Sequence, residues 1–174
     1  MNIDDDSAHR IRHLRRLHLL FGWSSLLLYS LLGVGLEVLL AYKVSAYVDW
    51  ENESRRLMWR LAHAHGTLFA VIHLGFSATV ADLPRDWSPG PSTLISWLLT
   101  AAALLIPVGF FLAGLDAEGG DPGAFIALVP TGALAFSIAA AWTGTGLLKR
   151  WRASASEEEP ARVGPIDDPP PSQD

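Results

Sequence analysis

The sequence predicts an all-α polytopic membrane protein: an antiparallel up-down bundle of four transmembrane helices. Composition carries the class, since 50% of the 174 residues are hydrophobic, only 18% are charged, and the charges collect at the ends and connections. Spacing carries the count. Residues 61–81, 93–115 and 123–148 contain no Asp, Glu, Lys or Arg, and 17–42 contains only Glu37. Each window matches the roughly 20 residues that traverse about 30 Å of hydrocarbon.

The first span, 17–42, follows a basic run of Arg10, Arg12, Arg15 and Arg16, as a signal peptide would. A signal h-region is about 7 to 15 residues long and ends in a small-residue cleavage site. This stretch is longer and carries Glu37, so it reads as a retained span preceded by a basic N-terminal segment, 1–16. His9, His13 and His18 read as belonging to a basic N-terminal stretch that meets lipid headgroups rather than a metal. The second span, 57–81, holds the central histidines. The third and fourth, 93–115 and 123–148, contain Pro107 and Pro130; each proline is expected to free a backbone carbonyl and bend its helix. The connections at 43–56, 82–92 and 116–122 are short, which makes sequential helices antiparallel neighbours. The acidic N-terminus and the Ser-, Glu- and Pro-rich tail, 149–174, lack the apolar surface to order themselves. The seven tryptophans read mostly as interface anchors, with Trp97 and Trp142 set inside their spans.

Lys and Arg gather in cytoplasmic loops. With the N-terminus inside, Arg10, Arg12, Arg15, Arg16, Arg85, Lys149, Arg150, Arg152 and Arg162 face the cytoplasm, nine of 13 basic residues, against Lys43, Arg55, Arg56 and Arg60 outside. Both termini are therefore expected to be cytoplasmic, in a plasma or inner membrane.

The chain has no cysteine, which excludes disulfides, thiolate metal sites and thiol chemistry. A net charge of −5, with the basic residues accounted for by topology, argues against nucleic acid. Asp116, Glu118 and Asp121 with Gly119 and Gly120 lack the ligand spacing of an EF-hand. There is no phosphate-binding glycine motif.

What remains is polar chemistry at membrane depth. Arg60-Leu61-Ala62-His63-Ala64-His65-Gly66-Thr67 runs on to His73 within an apolar segment, and an ionisable group there must face the bundle interior and find a partner. At about 1.5 Å per residue, Glu37 lies roughly 8 Å, His63 about 9 Å and His65 about 12 Å from the outer ends of their helices. Ala62, Gly66 and Ala70 form a small-residue stripe flanked by His63 and His65, and Gly22, Tyr29, Gly33 and Glu37 share one face of the first helix. If Gly33 and Gly66 mark the contact, Glu37 meets His63 or His65, and a carboxylate on an imidazole N–H would fix its tautomer. Glu37, His63 and His65 are thus the candidate catalytic or metal-ligating residues, and His73 a candidate cofactor ligand. The plain alternatives are hydrated interfacial groups for the first three and, for His73, a bond to a neighbouring Ser or carbonyl.

Four spans with His63-Ala64-His65-Gly66 opening the second resemble the small membrane proteins related to hydroxylaminobenzene mutase, in which a His-x-x-Gly start is followed by a polar residue. His63 and Gly66 match; Phe69 stands where that pattern has an amide. The resemblance implies a membrane isomerase using histidine acid-base chemistry. The residues themselves leave three classes open. These are a bundle binding haem, a divalent ion such as zinc, iron or copper, or a small apolar ligand; an acid-base enzyme; and a non-catalytic subunit of a larger membrane complex or homo-oligomer packed through small-residue faces.

Overall fold

The structure, a computed structural model, describes residues 3–48, 53–83, 89–117 and 121–162. Among them are α1 (Ile3–Ala41), a single turn α2 (Ser45–Val48), α3 (Glu53–Thr79), α4 (Pro89–Leu115) and α5 (Leu128–Arg162), with 3₁₀ turns at Val80–Asp82 and Ala124–Ala127. Four helices are long and apolar enough to cross a membrane, and they form an all-α bundle. The protein is a small integral membrane protein. In chain order α1, α3, α4 and α5 alternate in direction. The central pair is α3 and α4; α1 packs on α3, α5 packs on α4, and α1 barely touches α4. One end of the bundle carries the described chain ends and the α3–α4 connection, and is called here the terminal end. The other, the distal end, carries α2 and the α4–α5 turn.

In lipid, apolar burial gives helices little reason to associate, so close backbone approach and hydrogen bonding hold them. The α1–α3 contact shows this. Tyr29 lays its ring across Gly66, where a Cβ would overlap the ring, and His63 lays its imidazole across Gly33, where a Cβ would stand 2.5 Å from Cε1. The two glycines expected to mark the contact do so. Between α3 and α4 the core is apolar: Phe69 packs with Ala102, Ala103 and Ile106. Nearer the terminal end, Phe76, Val80, Ile95 and Leu99 enclose Leu14 of α1 and Ala139 of α5.

The distal end of α1 closes as a Schellman motif. Val44 N–H donates to Leu39 O at 3.0 Å and Lys43 N–H to Leu40 O at 3.1 Å, with Lys43 at φ 50° in the left-handed position usually given to glycine. The reversal folds α2 back so that Tyr47 is buried beside α3. Arg55 pins this corner, donating through Nε to Gly114 O at 3.1 Å and through Nη1 to Ala46 O at 3.2 Å.

Several expectations need correction. Helix α5 runs on from Lys149 to Arg162, where the composition suggested disorder; Lys, Arg, Ala and Glu are good helix formers, and a helix already begun extends at little cost. Residues 163–174 lie outside the described part. At the other end α1 reaches back to Ile3, so the basic segment is helical too. Pro107 sits inside α4 as expected. Pro130, by contrast, is the third residue of α5, in the first turn, where a backbone N–H has no intrahelical partner to lose. It bends nothing. Trp59 is no interface anchor: it stacks between Tyr47 and Phe111 and donates Nε1–H to Phe111 O at 3.2 Å. Trp50 and Trp87 lie outside the described residues, and Trp23, Trp97 and Trp151 are well exposed on the apolar surface.

The glycine contacts make a clear prediction. Gly66→Ala forces Tyr29 off α3 and should cost about 1–3 kcal/mol of stability, whereas Gly35→Ala, whose Cβ meets nothing within 4 Å, should stay within about 0.5 kcal/mol. Unfolding in mixed micelles titrated with a denaturing detergent measures both.

Candidate functional site

Two polar clusters form, one at each end of the α1–α3 contact. At the distal end a pocket of about 620 Å³ opens between α1 and α3 beneath α2, lined among others by Ser30, Glu37, Tyr47, Arg56, Arg60 and His63. Its histidine is oriented by packing. With no side chain at Gly33, the imidazole reaches the backbone of α1 and donates Nδ1–H to Tyr29 O at 2.7 Å. In the neutral ring this leaves Nε2 with its lone pair, a base or acceptor. Arg56 is steadied by a 3.2 Å bond to Val48 O, and Arg60 is exposed. Burial pushes the Tyr47 phenol above its ordinary pKa; the Arg60 and Arg56 charges pull it down and Glu37 adds to the rise. All three charges therefore act on one hydroxyl, which stays protonated and able to donate.

Sequence reasoning placed Glu37, His63 and His65 in one layer. The structure brings Glu37 and His63 to one pocket, but His63 gives its Nδ1–H to the Tyr29 carbonyl instead of the carboxylate. His65 lies on another face of α3: it stacks on Phe110 of α4 with centroids 5.0 Å apart and donates Nδ1–H to Leu61 O, one turn back, at 2.9 Å. The three do not converge. Among the described residues no three His, Asp or Glu side chains stand close enough together to hold a metal ion.

The second cluster lies near the terminal end and includes a residue that sequence reasoning missed. His18, assigned to the headgroup region, is fully buried, as is His73. Their Nδ1 atoms are 2.8 Å apart, and His18 Nε2 is 2.8 Å from Ser96 Oγ on α4. Phe21 and Phe76 flank the pair. His73 meets the His18 imidazole, and its Nε2 faces the backbone carbonyl of Leu99, an acceptor just beyond ordinary hydrogen-bond distance. The misleading signal was the neighbourhood of His18. Arg15 and Arg16 flank it in sequence but are exposed, while His18 lies one turn from Leu14 and Gly22, which are buried like it.

Beside this cluster a cleft of about 740 Å³ runs between α1 and α4, with Arg10 and His13 at one end, Ser24 and Thr100 at the other, and Ser96 in its wall. Comparison with protein-family models, curated proteins and solved structures gave no match to this chain.

The pair makes a testable demand on stability. His18→Ala opens a cavity and strands His73 Nδ1, so it should cost about 2–4 kcal/mol, while the exposed His9→Ala should change stability by less than about 0.5 kcal/mol. Equal effects in mixed-micelle unfolding would remove the buried pair from the description.

Proposed function

We propose that the distal pocket binds a small anionic amphiphile, with His63 as acceptor or general base. The observation behind this reading is the convergence of Arg56, Arg60, the Tyr47 hydroxyl and an oriented His63 on one pocket of about 620 Å³. That volume falls in the range of about 300–1,000 Å³ typical of small-molecule sites. Two guanidiniums suit a carboxylate or phosphate. Leu36, Leu40 and Val34 offer an apolar wall to the rest of the ligand. Metal or haem ligation by Glu37, His63 and His65 is not favoured, because His65 faces Phe110. An isomerase of the mutase type would draw on the same His63 Nε2 and is tested by the same variants.

The probe is decyl phosphate, titrated into the purified protein in neutral detergent and followed by fluorescence of the Trp59 stack, with decanol as the uncharged control. Decyl phosphate should bind saturably, and Arg60→Ala should weaken it about tenfold or more, the cost of a hydrogen bond to a charged group; at pH 6, where the monoanion keeps a P–OH that can donate to Nε2, His63→Ala should weaken it about fivefold. His65→Ala should leave it unchanged. Equal binding of decanol, or equal silence of both histidine variants, refutes the assignment.

Orientation belongs to the same reading. The excess of Lys and Arg at the terminal end supports a cytoplasmic N-terminus and a distal pocket on the outer side. A reporter active only in the cytoplasm should work fused at Asp174 or after Arg85 and fail near Glu51 or Gly120; activity at Glu51 inverts the assignment.

A further inference from the structure

The geometry points to a second site, independent of the distal pocket: we infer that the α1–α4 cleft holds one anionic glycerophospholipid, with its phosphate at Arg10 and His13.

The hydrogen-bond chain at the terminal end is spent within the bundle. Two imidazole Nδ1 atoms 2.8 Å apart share one proton, so one ring donates and the other accepts. His73 Nε2 faces the backbone carbonyl of Leu99, against which an N–H is favoured over a lone pair. His18 therefore donates Nδ1–H to His73 Nδ1, and Ser96 O–H donates to His18 Nε2. The cleft beside Ser96 is left with its shape and its charge to select an occupant.

The shape and charge of the cleft say what fills it. The cleft opens sideways between Leu20 and Trp97, which are 71% and 69% exposed on the apolar surface, so its occupant comes from the bilayer. Its mouth carries Arg10 and His13, and Arg12, Arg15 and Arg16 follow on the same helix. Basic pockets between membrane helices select anionic headgroups. His18, and with it Ser96, lies five residues beyond His13, about 7.5 Å deeper. A phosphate at Arg10 and His13 thus leaves the ester region at the level of Ser96 and an acyl chain along Leu20 and Trp97.

Native mass spectrometry of the full chain, delipidated in neutral detergent and titrated with single lipids, tests this. Diacyl phosphatidylglycerol should bind as one tight copy, at least tenfold better than diacyl phosphatidylcholine, and Arg10→Ala with His13→Ala should erase that preference. Equal binding of phosphatidylglycerol and phosphatidylcholine to the wild type overturns the proposal, and this comparison does not depend on a variant folding. Preferential one-to-one binding of a non-lipid apolar probe, decylubiquinone, over phosphatidylglycerol overturns it as well.

Discussion

The reciprocal insertion of Tyr29 over Gly66 and His63 over Gly33 is the contact on which both polar clusters depend. Two glycines on facing helices let two rings lie flat against the opposing backbones, which sets the separation and register of α1 on α3 together. Once that register is set, antiparallel geometry dictates the rest. One direction along α1 brings Glu37 to the pocket edge near His63, Arg60 and Arg56. The other passes Gly22 against Ala70 and Leu74 and brings His18 to His73 and Phe76. The same close approach also supplies the hydrogen bond that orients His63, since a side chain at residue 33 would keep the imidazole from the Tyr29 carbonyl.

The two clusters handle membrane polarity differently. At the distal end, Glu37 and Arg60 are exposed at the edge of one open pocket that they share with Arg56 and His63. At the terminal end, His18 and His73 are sealed by Phe21, Phe76 and the α3–α4 core, and their polar atoms are satisfied mainly by one another and by Ser96. Such a buried network lends specificity to packing that apolar side chains alone would leave loose. It links three helices, and the His18–Ser96 bond is one of the few ties between α1 and α4.

The fold was legible because hydrophobic length is a strong signal and short connections leave one simple topology. The Gly33–Gly66 contact was legible too, since small residues at helical spacing mark close approach. The site was only half legible, and the reason is directional. Depth along a helix follows from counting residues, and depth correctly put Glu37 and His63 together. Azimuth follows only when the partner face is known. His63 and His65 are both near the small-residue stripe, yet one turns to α1 and the other to α4, and residue counting treated them alike. His18 was misread because its sequence neighbours are arginines, although extending the Gly33–Gly66 register toward the N-terminus carries it into the neighbourhood of His73. The α5 extension was hidden for another reason: Pro169 to Pro171 dominate the composition of a tail whose first part, to Arg162, is rich in helix formers.

The weak α1–α4 contact is itself a consequence of this register. By committing its glycine face to α3, α1 turns Ser24, Leu17 and Leu20 toward a gap that α4 meets with Thr93, Ser96 and Thr100. Those three lie on one face of α4 at helical spacing, and a face that carries hydroxyls but no tightly packed helix is poorly suited to bare hydrocarbon. Thr100 turns its hydroxyl back to Ser96 O at 2.9 Å, the usual way a helix hides such a group. Ser96 instead donates its hydroxyl to the buried His18 imidazole. The α1–α3 contact that organises the distal pocket therefore also determines where the bundle is left open.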